Sequence, residues 1–159
     1  MAAKEVTVLF EDATIKFLNL EGRKTMYTPA GYRSFSVVVD AEQAMALEAD
    51  GWNIKRKTGY PEEDDVEFRI DVKAEYDRGR PPKVVAIVGN KRTFLDKETV
   101  GSLDWADIET IDVLIRAYDW EVGENSGRKA YLKSMYVTIE QDPLDEKYET
   151  YRGEEGGNE

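Results

Sequence analysis

The chain has 159 residues, and its 33 acidic residues against 22 basic ones give a net charge of −11. Cysteine and histidine are both absent, which excludes disulfides, thiolate zinc sites and catalytic arrangements built on a histidine base. Apolar residues make up 41% of the sequence, enough for one domain with a sizeable core, whereas no run of about 18 apolar residues could cross a membrane. Residues 1–12 lack the apolar stretch of a signal peptide, so we expect an intracellular protein.

Alternation of apolar and polar residues predicts short, half-buried strands in the first forty residues. The inward-facing residues of three such strands are Val6, Val8 and Phe10, then Ile15 and Phe17, then Phe35, Val37 and Val39. A turn at Glu21-Gly22 separates the second strand from the third. A helix follows, because Asp40 and Gln43 have the spacing of a capping box and Gly51 suits a left-handed helix end.

The second half of the chain also reads mainly as strands. A short strand around Ile54 precedes strict alternation from Val66 to Val72, and the apolar run Lys83–Val88 is typical of a central strand. A second, short helix is expected within Asp96–Trp105. A long strand beginning at Ile111 then turns through residues 123–127 into Arg128–Ile139. We therefore predict a mainly β fold, an OB-like five-stranded barrel with extra hairpins and one or two short helices.

The basic residues are concentrated in four stretches that contain no acid, which are Gly22–Val39, Gly51–Pro61, Arg78–Leu95 and Asn125–Ile139. These stretches hold 14 of the 22 basic residues, interleaved with aromatic ones. A groove for single-stranded nucleic acid needs that mixture, because cations follow the phosphates while rings stack on the bases. Two observations leave the alternative of an ordinary core-rich protein open: acid-free strands are common, and residues 1–140 still carry a charge of −6.

Two segments offer a geometry for such a groove. Lys129, Tyr131 and Lys133 fall on one face of the last strand, opposite Ala130, Leu132 and Ser134. The segment Arg78–Lys83 contains Pro-Pro and therefore reads as a loop, which could present two arginines to phosphates. A tyrosine between two solvated lysines, and a plain connecting loop, are the alternative interpretations.

A set of segments resembles a family of small bacteriophage proteins regarded as candidate single-stranded DNA-binding proteins. The segments are Phe17–Gly22, Arg33–Val37, Asp50–Lys55, Gly79–Pro82, Leu103–Trp105, Ile115–Trp120, Ala130–Lys133 and Val137–Glu140. The resemblance spans roughly residues 15–140 and includes no catalytic signature. It implies an OB fold, an aromatic and basic groove, action in the host-cell cytoplasm, and an acidic C-terminal tail that recruits replication or recombination proteins.

On this basis we divide the chain into an OB-like nucleic-acid-binding domain, residues 1–140, and an acidic, disordered tail, residues 141–159. The tail has a charge of −5 and ends in Gly-Gly-Asn-Glu, whereas many members of the class end in an aromatic residue. We expect the protein to bind single-stranded DNA without strong sequence preference, in support of replication and recombination. No cofactor, metal, catalysis or membrane is expected, and a homodimer is left open.

The residues that we expect to bind the nucleic acid fall into two groups. The expected phosphate contacts are Arg33, Lys55, Arg56, Lys57, Arg78, Arg80, Lys129 and Lys133. The expected stacking residues are Trp52, Tyr60, Tyr131 and Tyr136, each of which could instead belong to the core. Trp105 and Trp120 have acid-rich surroundings, and we assign them to the structure.

Two other functions fit parts of the sequence. An acidic phage protein could mimic DNA and inhibit a host nuclease or defence protein, its carboxylates standing in for phosphates. Alternatively, Asp65 and Asp71 could hold Mg²⁺ while Lys73 steadies an attacking water, as in metal-dependent nucleases. Glu67 and Arg69 share the strand face of Asp71 and Lys73, which is also the pattern of an ordinary solvated strand with ion pairs.

Overall fold

The computed structural model describes residues 5–58, 66–141 and 144 of the chain. The described strands are β1 Thr7–Phe10, β2 Thr14–Asn19, β3 Ser34–Val39, β4 Ile54–Thr58, β5 Val66–Lys73, β6 Lys83–Val88, β7 Lys91–Leu95, β8 Ile108–Val122 and β9 Asn125–Ile139. One α-helix, α1, spans Ala41–Ala49, and a 3-10 helix spans Val100–Trp105. All nine strands belong to one mixed sheet.

Six strands form an OB-like circuit. The hydrogen-bonded path runs β1-β8-β9-β5-β3-β2, antiparallel except for the parallel pair of β5 with β9. The two ends of this path, β1 and β2, are consecutive in the chain and are separated only by residues 11–13, where the Ala13 N–H donates to the Ile111 carbonyl at 2.8 Å. The ladder itself is not closed, and the covalent bend between β1 and β2 completes the circuit. The predicted mainly β, OB-like fold is confirmed.

The extra hairpins fill edges that the circuit leaves free. β4 pairs with residues Val66–Ile70 of β5, beyond the short contact that β5 makes with β9. The β6–β7 hairpin lies along the second half of β9, where β6 runs parallel to residues Ser134–Thr138. The β8–β9 hairpin turns at Gly123-Glu124. β9 therefore begins at Asn125, three residues before the start at Arg128 that the sequence predicts. Both edges of β9 are therefore covered along its second half.

Alternating side chains from every strand of the circuit fill the core. Its largest fully buried residues include Phe35, Ile70, Ile115, Leu132 and Met135. The end of the core under α1 is closed by Ala44 and by Trp52, whose side chain is 2% exposed. The predicted helix forms as expected, with reciprocal capping bonds between Asp40 and Gln43.

Two β-bulges change the alternation that the sequence predicts. Strict alternation in β2 would send Phe17 inward after Ile15, but a shift between Lys16 and Asn19 turns Phe17 outward and packs Leu18 against the core instead. In β9, Leu114 faces Ser134 while the next residue, Ile115, faces Leu132. The predicted grouping of Ser134 with Ala130 and Leu132 on one face is therefore wrong, because Met135 takes the next core position after Leu132.

The buried carboxylate of Asp104 ties the loop after β2 to the 3-10 helix. It accepts hydrogen bonds from the backbone N–H groups of Leu20 and Glu21 at 2.8 and 2.9 Å, and its side chain is fully enclosed. We expect Asp104→Ala to lower the free energy of unfolding by about 1–3 kcal/mol, because two donors lose their acceptor. Urea denaturation measures this change. Asp107→Ala, which alters an exposed aspartate nearby, is the control and should shift stability by less than about 0.5 kcal/mol.

Candidate nucleic-acid interface

The outer face of β9 presents two tyrosines that simple alternation would place on opposite faces. Ala130 and Leu132 face the core, and after the bulge Met135 and Val137 face the core. The extra residue between these pairs reverses the parity of the strand. As a result Tyr131 and Tyr136, five positions apart, both lie half-buried on the outer face.

Tyr131 is the centre of a row of rings and cations. The ring of Tyr118, on β8, lies 5.5 Å from the Tyr131 ring at an interplanar angle of 48°. The Arg116 guanidinium is 5.2 Å from the Tyr131 ring, and Lys73 is paired with Tyr131 across the β5–β9 ladder. The Lys73 ammonium also lies 5.0 Å from the ring of Tyr32. We call Tyr32, Lys73, Tyr131, Arg116 and Tyr118 the tyrosine row.

Further along β9 the same face continues onto the β6–β7 hairpin. The Lys83 ammonium lies 5.4 Å from the Tyr136 ring and 5.6 Å from the Phe94 ring. Phe94 is 70% exposed. Both rings therefore have a cation beside them and open surface available.

The Glu5 carboxylate lies among the cations at one edge of the tyrosine row. Glu5 accepts a hydrogen bond from Lys133 at 2.7 Å and lies 3.9 Å from Arg80. The bond from Lys133, with the nearby charges of Lys133, Arg80 and Arg116, lowers the pKa of the Glu5 carboxyl below its ordinary value. Cations converging on one anionic group in this way form an anion site, and here Glu5 occupies it.

Besides Lys133 and Arg80, which contact Glu5, three more of the predicted phosphate contacts have partners within the protein. Arg33 donates to the Leu20 and Lys97 carbonyls at 2.8 and 3.2 Å. Arg56 makes two 2.7 Å bonds to the Glu48 carboxylate, and Lys55 forms an ion pair with Asp71. The first two contacts hold loops and the helix in place, so a phosphate would have to replace a structural partner.

The other predicted binding residues, apart from Trp52, fall into three groups according to where they lie. Lys129, Lys133 and Arg80 come together with Tyr131 and Tyr136 on the outer face of β9 or beside it. Lys57 and Arg78 are exposed on β4 and on the loop before β6. Tyr60 lies outside the described residues.

Two of the three tryptophans, Trp52 and Trp105, do not follow the sequence-based assignment. Trp52, an expected stacking residue, is buried in the core, with its indole N–H 3.2 Å from Asp50 and the Arg128 guanidinium 5.2 Å from its ring. Its ring therefore offers no open face. Trp105, which we assigned to the structure, is instead 70% exposed, with the Arg23 guanidinium 4.8 Å from its ring.

The sequence analysis missed several residues that the structure brings to this face. They are Tyr32, Lys73, Lys83, Phe94, Arg116 and Tyr118. A signal existed for two of them, because the inward alternation of Ile111, Val113 and Ile115 places Arg116 and Tyr118 on the outer face. Tyr32, Lys83 and Phe94 lie in the acid-free stretches, but their place on this face, like that of Lys73, depends on the pairing of distant strands.

The acidic and basic residues of the nuclease hypothesis are engaged in local contacts. Asp71 accepts a 2.6 Å bond from Ser36 and pairs with Lys55, while Lys73 lies 2.8 Å from Glu75. Asp65 lies outside the described residues. Within residues 5–58 and 66–141, no cluster of three or more acidic side chains is arranged to hold a metal ion, and no helix there is long and apolar enough to cross a membrane.

Comparison with solved structures finds the same fold in single-stranded DNA-binding proteins of bacteriophage Enc34. The Enc34 protein in complex with ssDNA aligns with a TM-score of 0.54 and 11% identity, over 87% of this chain and 89% of that chain. The structure of its C-terminal truncation aligns with a TM-score of 0.53 and 11% identity, over 86% of this chain and 87% of that chain. A further structure of the Enc34 protein aligns with a TM-score of 0.52 and 13% identity, over 87% of this chain and 83% of that chain. At these identities the likeness concerns the fold alone.

Comparison with curated protein sequences found no match. A family model described as "Putative phage ssDNA-binding domain" matches residues 2–153, nearly the whole chain. The chain therefore belongs to the phage ssDNA-binding domain family.

Proposed function

We propose that this protein binds single-stranded DNA along the outer face of β9 and the neighbouring parts of β5, β6 and β8. The observation that carries the proposal is the tyrosine row, in which rings with exposed surface alternate with cations on one continuous face. Such a face suits a single strand, because the flat sides of its bases are free to stack while its phosphates meet the cations. In a duplex those sides are covered by neighbouring bases.

The binding is proposed to be independent of sequence. Every base has a flat face that can stack on a tyrosine, so stacking does not distinguish one base from another. The cations beside the rings contact phosphates, which carry no sequence information. A protein of this kind coats whatever strand is exposed, and we propose that it supports replication and recombination of phage DNA in the host-cell cytoplasm.

The net charge of −11 does not oppose this role. Long-range repulsion between the acidic protein and DNA is screened beyond about 8–10 Å at physiological salt, so the local cations decide the contact. Lys73, Lys83, Lys133, Arg80 and Arg116 supply positive charge along the proposed face. We propose a binding role without catalysis or cofactor, which is supported by the local contacts of Asp71 and Lys73.

The division into domains is also part of the proposal. We propose that residues 1–140 bind the DNA and that the acidic tail, residues 141–159, contacts replication or recombination proteins and competes with DNA for the cations. The charge of the tail, −5, supports such competition.

Tyr131 provides the direct test of stacking. We expect Tyr131→Ala to weaken binding of a labelled oligo-dT by about 5- to 150-fold, since a base loses its stacking partner. Tyr131→Phe keeps the ring and should bind within about twofold of the unaltered protein. Fluorescence anisotropy at fixed salt measures both affinities, and circular dichroism checks the fold.

Val122→Ala, at the exposed tip of the β8–β9 hairpin, is the matched control and should leave affinity unchanged. Equal binding by Tyr131→Ala and the control would remove Tyr131 from the interface. Failure of the unaltered protein to bind any oligonucleotide at low salt would contradict the proposed function and favour the DNA-mimic alternative, in which a basic protein partner is expected.

Substitution of Glu5 tests whether the cations around it form an anion site. We expect Glu5→Gln to tighten oligo-dT binding, because Lys133 and Arg80 lose the carboxylate that competes with phosphate. If one further phosphate is then bound, the slope of log affinity against log salt should steepen by about 0.7. Lys133→Gln should weaken oligo-dT binding and make the salt slope shallower.

Glu109→Gln is the control for net charge, because it removes one negative charge from an exposed position on β8. Anisotropy titrations at four or more salt concentrations give the slopes. If Glu5→Gln binds no more tightly than Glu109→Gln, the cations around Glu5 do not form a phosphate site.

A further inference from the structure

Phe17 has a backbone conformation that bulky residues rarely adopt. It lies at the bulge of β2 with φ at +58°, in the left-handed region, and its side chain is 64% exposed. An L-residue in this region is strained because its Cβ crowds the neighbouring carbonyl. Such strain persists only where the surrounding structure imposes it, and it is concentrated at functional sites.

Strand β2 also leaves the large Phe17 ring unburied. Ala13 and Ile15 pack against the core, and Phe17 would follow them if alternation continued. The bulge gives that position to Leu18 and turns the phenyl ring to the surface. Both the strain and the lost burial disfavour this arrangement in a protein that uses Phe17 only for stability.

A cation covers one face of the exposed ring. Arg69 projects from the outer face of β5, and its guanidinium carbon lies 4.9 Å from the centre of the Phe17 ring. The Arg69 side chain is only 16% exposed, and its Nε is buried without a hydrogen-bond partner within the described parts of the chain; the Glu67 carboxylate is 3.8 Å away. A buried donor without a partner is rare in native proteins, so Arg69 is held beside the Phe17 ring at a cost to its own hydrogen bonding.

We propose that Phe17 is a second stacking site, on which a nucleobase of the single strand lies with Arg69 against the opposite face of the ring. This inference rests on the proposed function and extends the DNA path beyond the tyrosine row. Phe17 shares the outer face with that row, because Arg69, Lys73 and Tyr131 all project from the same side of the sheet.

The position of Phe17 sets the length of DNA that reaches both sites. β2 and β9 are separated by β3 and β5, so three strand spacings of about 4.8 Å place the sites about 14 Å apart. At a stacked rise of 3.4 Å per nucleotide this is about four nucleotides. Lys73 and the Tyr32 ring beside it lie between the two sites.

The test compares three substitutions at Phe17 in the full chain. Binding of a long oligo-dT should weaken by about 5- to 150-fold in Phe17→Ala and nearly as much in Phe17→Leu, which is apolar but has no flat face. Phe17→Tyr should retain affinity within about twofold, since the ring remains. Met45→Ala, on an exposed side chain of α1 distant in sequence from both sites, is the control. Thermal unfolding checks that every variant is folded.

Oligonucleotide length adds a second readout. The loss caused by Phe17→Ala should disappear with an oligonucleotide too short to reach both sites, about three nucleotides, whereas the loss caused by Tyr131→Ala should persist. If Phe17→Ala binds the long oligonucleotide as tightly as the Met45→Ala control while Tyr131→Ala does not, the second site is overturned and the proposed function stands. If Phe17→Ala instead changes only self-association, the ring serves a protein contact and the inference is likewise overturned. If the unaltered protein binds no oligonucleotide, both fail together.

Discussion

The side-chain period of two in a β-strand is the constraint on which the rest of this structure depends. It sends one set of residues into the core and the other to the surface, and a single extra residue reverses the assignment for everything that follows. The bulge in β9 brings Tyr131 and Tyr136 to one face, and the bulge in β2 exchanges Phe17 for Leu18. Two local irregularities thus place Tyr136 and Phe17 on the outer face, beside residues such as Tyr131 and Arg116 that regular alternation already puts there.

The cations of this face are held in advance by neighbours of two kinds. Aromatic rings lie beside the cationic groups of Lys73, Lys83, Arg69 and Arg116. Carboxylates form ion pairs with Lys73 and Lys133. Nine cation–ring contacts, with distances of 4.8–5.6 Å, are found within the described ranges. This arrangement keeps long side chains ordered before DNA arrives. Under the proposed function, binding exchanges one anionic partner for another, so an acidic protein can still present cations to phosphate.

Part of the candidate site could be predicted from the sequence. Lys129, Tyr131 and Lys133 are close in the chain, and alternation along one strand was enough to group them. Lys73, Tyr32 and Tyr131 come from three separate segments, and their proximity follows from the parallel pairing of β5 with β9, which no local pattern encodes. Trp52 shows the opposite error: basic neighbours in sequence suggested an exposed ring, but packing beneath α1 buries it.

The sequence by itself determined the strand-rich class and the capped helix, because these depend on short-range periodicity and on residues a few positions apart. The number of short strands and the resemblance to a phage family indicated the OB-like architecture. Only the tertiary structure decided where the alternation breaks and which strands become neighbours. Both outcomes depend on the pairing register, which is set by the fit of all the strands around one core.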